Sequence, residues 1–364
     1  MKILLLTTHI FSSKHKAGFH YLAEEFQKMG HAVYFCTVPN TPLHLAIDLI
    51  KNRSQIQDRI RSFFSCIFPT KRQGILVTSY ASLVFNNPRS TLLSKTKHFL
   101  FLAGFCRPIS QVVFDTIIFE SSACLFLFPR LKKKNFKAKF IYRVSDPLFV
   151  MKADPLLIEM EKHLLSLFDS VSVPNNKIAA YLKGVEPKAR MQIRPHGVDK
   201  VSLEAAKSKR IPFHTKNNLV FIGMFLFDQD FLEIASRIRP DCHFHMIGFF
   251  NNRIVRKNVS YYGVLPFVDT LPFVAHCDAA LLCRRAGERT DMMAKSLKYF
   301  QYLYFRKAMI APQEMLLKED FVFSYTLDES SIEKALEGAL SYNYPKNLSP
   351  QIDDWSKVAS AILE

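Results

Sequence analysis

The stretch KILLLTTHIFSSKHKAGFHYLAEEFQKMGHAVYFCT, residues 2–37, decides the fold. Its first six residues, Lys2–Thr7, carry a continuous apolar run of the kind found in a strand covered on both faces, and such strands belong to parallel sheets flanked by helices. Ala17–Met29 then places Phe19, Leu22, Phe26 and Met29 at three- and four-residue spacing, one face of a helix, and Gly30 supplies the stop. Ala32–Thr37 (AVYFCT) reads as a second buried strand. This is one βαβ unit.

The alternation continues along the chain. Strands are expected near Ile75–Ser79, Thr116–Phe119, Lys139–Val144, Ser170–Pro174 and Gln192–Arg194, with helices over Leu43–Phe64, Ser122–Lys133, Leu156–Phe168 and Asn176–Lys183. The polar, basic stretch KVSLEAAKSKRIPFHTKN, residues 200–217, reads as an interdomain linker. Beyond it, strands are expected at Leu219–Ile222, His243–Ile247, Val259–Tyr262, Ala279–Leu282 and Ala308–Ile310. Helices at 229–238, 268–276, 292–306, 330–341 and 351–363 complete the second set. The pattern predicts an α/β protein with two Rossmann-like, doubly wound domains, 1–205 and 206–348, facing each other across a cleft. A last helix, 349–364, is placed so that it can return to the first domain.

Composition agrees with that size. At roughly 100–200 residues per domain, 364 residues support two domains with substantial cores. Seven scattered cysteines without a CxxC pair argue against a zinc ribbon or disulfide framework and for a reducing, cytoplasmic compartment. No apolar run approaches the ~20 residues that span a bilayer, and the apolar run at the start is too short for a signal peptide.

The net charge is +17, and it is unevenly placed: residues 1–150 hold 21 Lys+Arg against 7 Asp+Glu. Over Leu43–Phe64, apolar residues alternate with Lys51, Arg53, Arg59 and Arg61, a basic amphipathic helix that either lies on an anionic membrane surface or packs its apolar side on the sheet. A membrane surface is expected in preference to nucleic acid; solubility is the plainer use of the same charge.

Ligands of doubly wound sheets bind beyond the carboxyl ends of the strands. The residues there are Thr8-His9, Glu120, Asp146, Asn175, His196, Gly223 and the 283–291 loop. Neither GxGxxG nor GxxxxGK[ST] occurs, which argues against dinucleotide dehydrogenases and P-loop ATPases, and HExxH is absent too. Asp228-Gln229-Asp230 could hold a metal, but it opens a helix, where capping and first-turn charge explain it. No metal and no cofactor are expected.

Asp146 precedes Pro147, which disfavours helical geometry at that position, so its carboxylate sits on a turn where it can act as general base or make an Asx turn. His9 is a rival base, or a hydrogen-bonded structural imidazole. Glu120 could bind a sugar hydroxyl or hold His9 or Arg143. His196 precedes a glycine and could lie near phosphate or merely shape a turn. Lys298 and Gln301, three apart on one helix, could meet an anion together or form a solvated face.

Five stretches carry a resemblance: IIFESSACLF (117–126), FIYRVSDPL (140–148), RPHGVDK (194–200), FIGMFLFDQDF (221–231) and KYFQYLYFRKAMIAP (298–312). In this order they resemble the bacterial xanthan-type β-glucuronosyltransferase family, most weakly over 40–112. The resemblance implies the two-domain glycosyltransferase B (GT-B) fold. It also implies transfer of glucuronate from UDP-glucuronate to a polyprenyl-diphosphate-linked oligosaccharide at the inner membrane, with inversion and without metal. Asp146 takes the place of the family's base. Phe225 stands where the family has a Met near the nucleotide, and Leu297 likewise replaces a Met. Lys298 and Gln301 match the Lys and Gln that bind the donor diphosphate, helped by backbone N–H groups near Gly223. Glu120 matches a family Glu.

One departure concerns the donor. The family's PYAS segment aligns with Cys283-Arg284-Arg285-Ala286, so Cys283 or Arg284 replaces a Tyr, and a cation there could favour a carboxylated sugar or bind diphosphate. The expectation is an inverting, metal-independent UDP-sugar transferase of bacterial polysaccharide synthesis, cytoplasmic and peripheral on the inner membrane. The competing readings are another UDP-hexose transferase, a sugar-nucleotide epimerase, or a non-catalytic basic membrane-binding protein.

Overall fold

The computed structural model describes residues 1–13, 16–42, 56–82, 101–210, 212–223, 227–285, 287, 289–345 and 351–364. The chain divides into two compact units, Met1–Pro195 with Trp355–Glu364, and His196–Asp354.

Among the described residues the first unit is built on eight strands: β1 (Lys2–Thr7), β2 (Ala32–Asn40), β3 (Thr70–Arg72), β4 (Ile75–Ala81), β5 (Thr116–Glu120), β6 (Lys139–Arg143), β7 (Ser170–Val173) and β8 (Met191–Ile193). Their order is β3-β4-β2-β1-β5-β6-β7-β8. Every pair is parallel except β3 with β4. Ile3, Leu4, Leu5 and Leu6 are wholly buried, as are Ile117, Ile118 and Phe119 on the neighbouring β5. That double burial is why these strands are uniformly apolar. The chain turns outward in opposite directions from β1 and β5, so the switch point lies between their carboxyl ends. β3 was not anticipated: its residues Thr70-Lys71-Arg72 are polar and exposed, and only pairing with β4 makes them a strand.

The second unit carries β9 (Asn218–Gly223), β10 (His243–Gly248), β11 (Val259–Gly263), β12 (Ala279–Leu281), β13 (Ala308–Pro312) and β14 (Val322–Tyr325). The sheet is parallel throughout, in the order β11-β10-β9-β12-β13-β14. Its switch point lies between β9 and β12. Gly223 and Gly248 are register partners at the ends of β9 and β10. Gly248 has φ +140°, and a Cβ there would stand 1.7 Å from the Gly223 carbonyl oxygen, so only glycine permits this approach.

The expected linker is a helix over its first part. Lys200–Lys207 is helical, capped by the Asp199 carboxylate, which accepts from Ser202 N at 3.1 Å. Leu203 and Ala206 are buried in the core of the second unit with Leu271 and Val274. The break between units therefore falls at Pro195/His196 instead of near 205, because the two buried positions of this helix, Leu203 and Ala206, commit it to the second unit. The chain crosses back at Asp354/Trp355. The last helix, Trp355–Leu363, packs in the first unit, where Trp355 stacks on Tyr21 with centroids 5.2 Å apart and planes within 3°. Gly18 makes room for that indole.

Two of the expected helices begin as 3₁₀ turns. Ser122–Lys133 becomes a 3₁₀ turn, Ala123–Leu127, followed by an α-helix, Phe128–Lys134, with Pro129 at its start, where its missing N–H costs nothing. The stretch 292–306 becomes a 3₁₀ turn, Thr290–Met293, and the helix Leu297–Tyr304. Of the long basic helix expected over 43–64, Ile56–Phe64 is helical and 43–55 lies outside the described residues.

Candidate active site

At the switch point of the first unit, Glu120 ends β5 beside the end of β1. Its carboxylate is buried and collects donors: Oε2 accepts from Thr7 Oγ1 at 2.8 Å, Thr8 N at 2.8 Å and Thr8 Oγ1 at 3.0 Å. Oε1 meets His9 Nε2 at 3.1 Å. Burial pushes the carboxyl up, but the His9 charge and these hydrogen bonds outweigh it and hold the pKa down at about 2. His9 responds in the opposite direction. Burial would lower its pKa, yet Glu120 and then Asp146 raise it above the ordinary histidine value.

The loop carrying His9 is tied at both ends. Its N–H donates to Thr7 Oγ1 at 3.1 Å, and Thr37 Oγ1 donates to its carbonyl at 2.8 Å. Asp146 follows β6 and is half-buried. Its backbone carbonyl accepts from Ser121 Oγ at 2.8 Å, which fastens the Asp146-Pro147 turn to the residue next to Glu120. His9, Glu120 and Asp146 thus gather at three neighbouring strand ends. Sequence reasoning named Thr8 only as a strand-end residue and missed the Thr7 and Ser121 hydroxyls that organise them with it. Their signal was a pair of small polar residues directly after a buried apolar strand.

Of the two partners considered for Glu120, His9 is the one found. Arg143 is its register partner on β6, yet the guanidinium instead donates through Nη1 to Ser172 Oγ at 2.8 Å and to the Arg194 carbonyl at 2.6 Å. His196 lies three residues beyond β8, buried where the chain crosses into the second unit.

In the second unit, Lys298 sits in the first turn of Leu297–Tyr304 and reaches back over the end of β9. Its Nζ donates to the Ile222 carbonyl at 3.3 Å and lies 4.3 Å from the centroid of the Phe221 ring. A Cβ on Gly223 would be 3.3 Å from that nitrogen, so the ammonium borders the bare backbone at the strand end. Tyr302, from the same helix, accepts from Ile222 N at 3.3 Å. Arg284 follows β12 and pairs with Phe227 as an isolated bridge. Burial, then the positive charge of Arg284, bring the Lys298 pKa down to about 8.

Two cations that repel each other beside a glycine-lined strand end can take an anion, which would relieve their repulsion. Gln301, one helical turn from Lys298, is buried, and Leu297 is half-buried at the helix start. Phe225 lies outside the described residues.

Asp228 is the N-cap of Gln229–Ile238 and accepts from Phe231 N at 3.4 Å and Tyr325 Oη at 2.8 Å. Asp228 of the Asp-x-Asp pair thus caps the helix, and Asp230 lies in its first turn. Among the described residues no cluster of three His, Cys, Asp or Glu side chains is arranged to hold a metal ion.

The fold has solved counterparts. A trehalose-6-phosphate structure from E. coli, bound with UDP-2-fluoro glucose, aligns over 100% of this chain and 95% of its own, with a TM-score of 0.64 at 11% identity. AviGT4, a glycosyltransferase involved in avilamycin A biosynthesis, aligns over 100% and 96% with a TM-score of 0.52 at 11% identity. The fold class is that of the GT-B glycosyltransferases.

Residues 5–174 match the family described as glucuronosyltransferase GumK, N-terminal domain. The UDP-glucuronate:glycolipid 2-beta-glucuronosyltransferase of Xanthomonas campestris pv. campestris is 22% identical over 99% of this chain and 89% of its own length. The chain is a glycosyltransferase, and residues 5–174 are similar to the N-terminal domain of the GumK family.

Proposed function

We propose that the protein transfers glucuronate from UDP-glucuronate to the sugar of a polyprenyl-diphosphate-linked oligosaccharide, inverting the anomeric centre without a metal. The observation that carries this reading is the pair of cations, Lys298 and Arg284, at the end of β9 and β12, in a chain whose full-length relative uses UDP-glucuronate. In this reading the acceptor hydroxyl loses its proton to Asp146 as its oxygen bonds the anomeric carbon. The bond from that carbon to the diphosphate breaks, and UDP leaves with its charge balanced by Lys298, helped by Gln301 and the backbone at Gly223. Arg284 is the group that would favour a carboxylated sugar. The sugar nucleotide is α-linked, so a single displacement yields the β linkage in the relative's name.

The donor is tested by calorimetry with a panel of UDP- and GDP-sugars, with and without EDTA. Micromolar binding of UDP-glucuronate that EDTA leaves unchanged is expected. Equal binding of uncharged UDP-hexoses would remove the carboxylate role of Arg284.

The acceptor's lipid suggests work at an anionic leaflet, the inner face of the inner membrane, and one surface of the first unit suits it. Phe64 is 55% exposed, Ile67 41% and Phe68 68%, and Arg61, Lys71, Arg72 and Arg107 are exposed beside them in sequence or through the hydrogen bond from Arg107 N to the Cys66 carbonyl. Among the described residues no helix is long and apolar enough to cross a membrane. Such a patch combines apolar insertion with attraction to anionic lipid, worth about 1 kcal/mol per cation. Co-sedimentation with phosphatidylglycerol vesicles is expected at low salt, with release at high salt; Phe64→Ser/Phe68→Ser should weaken it. No sedimentation at low salt would remove this part of the reading.

A further inference from the structure

The displacement proposed above has no task for His9 and Glu120, although the fold spends four hydrogen-bond donors on that carboxylate. Buried carboxylates are costly unless a cation compensates them. The only cation at hydrogen-bond distance from Glu120 among the described residues is His9, whose side chain remains 42% exposed. The same imidazole senses Asp146. Without His9 the Glu120 charge would lose its cation at the strand end to which the Asp146 turn is tied, and a like charge nearby disfavours an ionised carboxylate.

We propose that His9 and Glu120 are positioning residues for the base: the imidazolium, anchored to the sheet by Glu120, sets a positive charge beside Asp146 and keeps that carboxylate ionised and oriented on its turn. This rests on the assignment of Asp146 as the base.

The groups facing His9 support the assignment. From β5 comes Glu120, from the turn after β6 comes Asp146, and from the helix Gly18–Lys28 comes His20, with ring centroids 5.8 Å apart. His20 adds no charge near neutrality. Burial brings its pKa down to about 4, its Nδ1 accepts from Ala17 N at 3.0 Å, and its Nε2 faces the Ile10 carbonyl at 3.1 Å. Lys16, the cation felt by His20, is itself paired with Glu24 at 2.6 Å. The imidazole therefore contacts one carboxylate, Glu120, directly and lies within reach of the charge of a second, Asp146. The backbone supports the same arrangement: the Ser121 hydroxyl ties the Asp146 turn to the strand end that carries Glu120.

The first readout needs no activity. In a histidine NMR titration of the intact protein, Asp146→Asn is expected to lower the His9 pKa by roughly one unit, because coupling between two sites is reciprocal. An unchanged His9 pKa would overturn the inference, whatever the enzyme does. The second readout is the pH profile of kcat/KM. His9→Gln should move the acid limb up by about one unit, and His9→Lys, which keeps a cation, should move it back. A limb that stays in place in His9→Gln also overturns the inference while leaving Asp146 as the base. Turnover that survives in Asp146→Asn would sink the base assignment and the inference with it.

Discussion

Asp146→Asn is expected to lower sugar transfer by roughly 10²–10⁴-fold, the usual contribution of a positioned general base. The substitution keeps the size of the side chain. It also keeps the two features that hold the turn, Pro147 and the hydrogen bond from Ser121 Oγ to the backbone carbonyl of residue 146. What it removes is the proton acceptor. UDP-sugar affinity should stay near native, since the cations assigned to the donor belong to the second unit. Product formation at saturating donor and calorimetric binding of UDP are the two measurements. A variant that transfers within tenfold of native would show that another group takes the proton. A variant that loses both transfer and UDP binding would show that Asp146 matters to the fold more than to the chemistry.

Lys298→Ala should cost about 10²–10³-fold in kcat, the effect of removing one preorganised group that stabilises developing negative charge. It should weaken UDP binding as well. The direction of its pH dependence follows from its surroundings. Burial and the neighbouring Arg284 disfavour the charged amine, so in the unliganded protein it loses its proton near pH 8, well below the usual lysine range. Above that pH the site holds one positive charge fewer, and UDP affinity should fall between pH 7 and 9. Bound diphosphate reverses the cause by supplying opposite charge, so binding at pH 8 should take up protons. Lys298→Arg would remain charged throughout and should flatten the profile, although the guanidinium is larger and forks differently. An affinity in the native protein that does not change between pH 7 and 9 would detach Lys298 from the diphosphate.

Much of this molecule was legible in its sequence, and for a specific reason. Strands buried on both faces must be apolar along their whole length, so KILLLT, TIIF and KFIYRV stand out from the amphipathic helices between them. The rule that ligands gather beyond the carboxyl ends of such strands then turned a list of strands into a list of candidate residues. His9, Glu120, Asp146, Gly223, Arg284 and Lys298 all came from it or from the family resemblance, and all lie at or beside strand ends. Features that depend on a few contacts were harder to read. The helix Lys200–Lys207 looked like a linker because only Leu203 and Ala206 are buried in it. Thr70–Arg72 carries no strand signal in its sequence, because its residues are polar and exposed and its strand geometry comes from the partner it pairs with.

The sequence by itself determined the α/β class, the two sheets and the chemistry available at their edges, because periodicity and residue type are local properties of the chain. Only the tertiary structure decided which of those groups meet. It paired Glu120 with His9 and sent Arg143 to Ser172 and the Arg194 carbonyl, although all of these residues lie on adjacent strand ends and any carboxylate could have met either cation. It laid the Lys298 ammonium across the end of β9, 76 residues away in sequence. Such choices depend on side-chain direction and on distances set by strand order. They exist only once the sheets have formed.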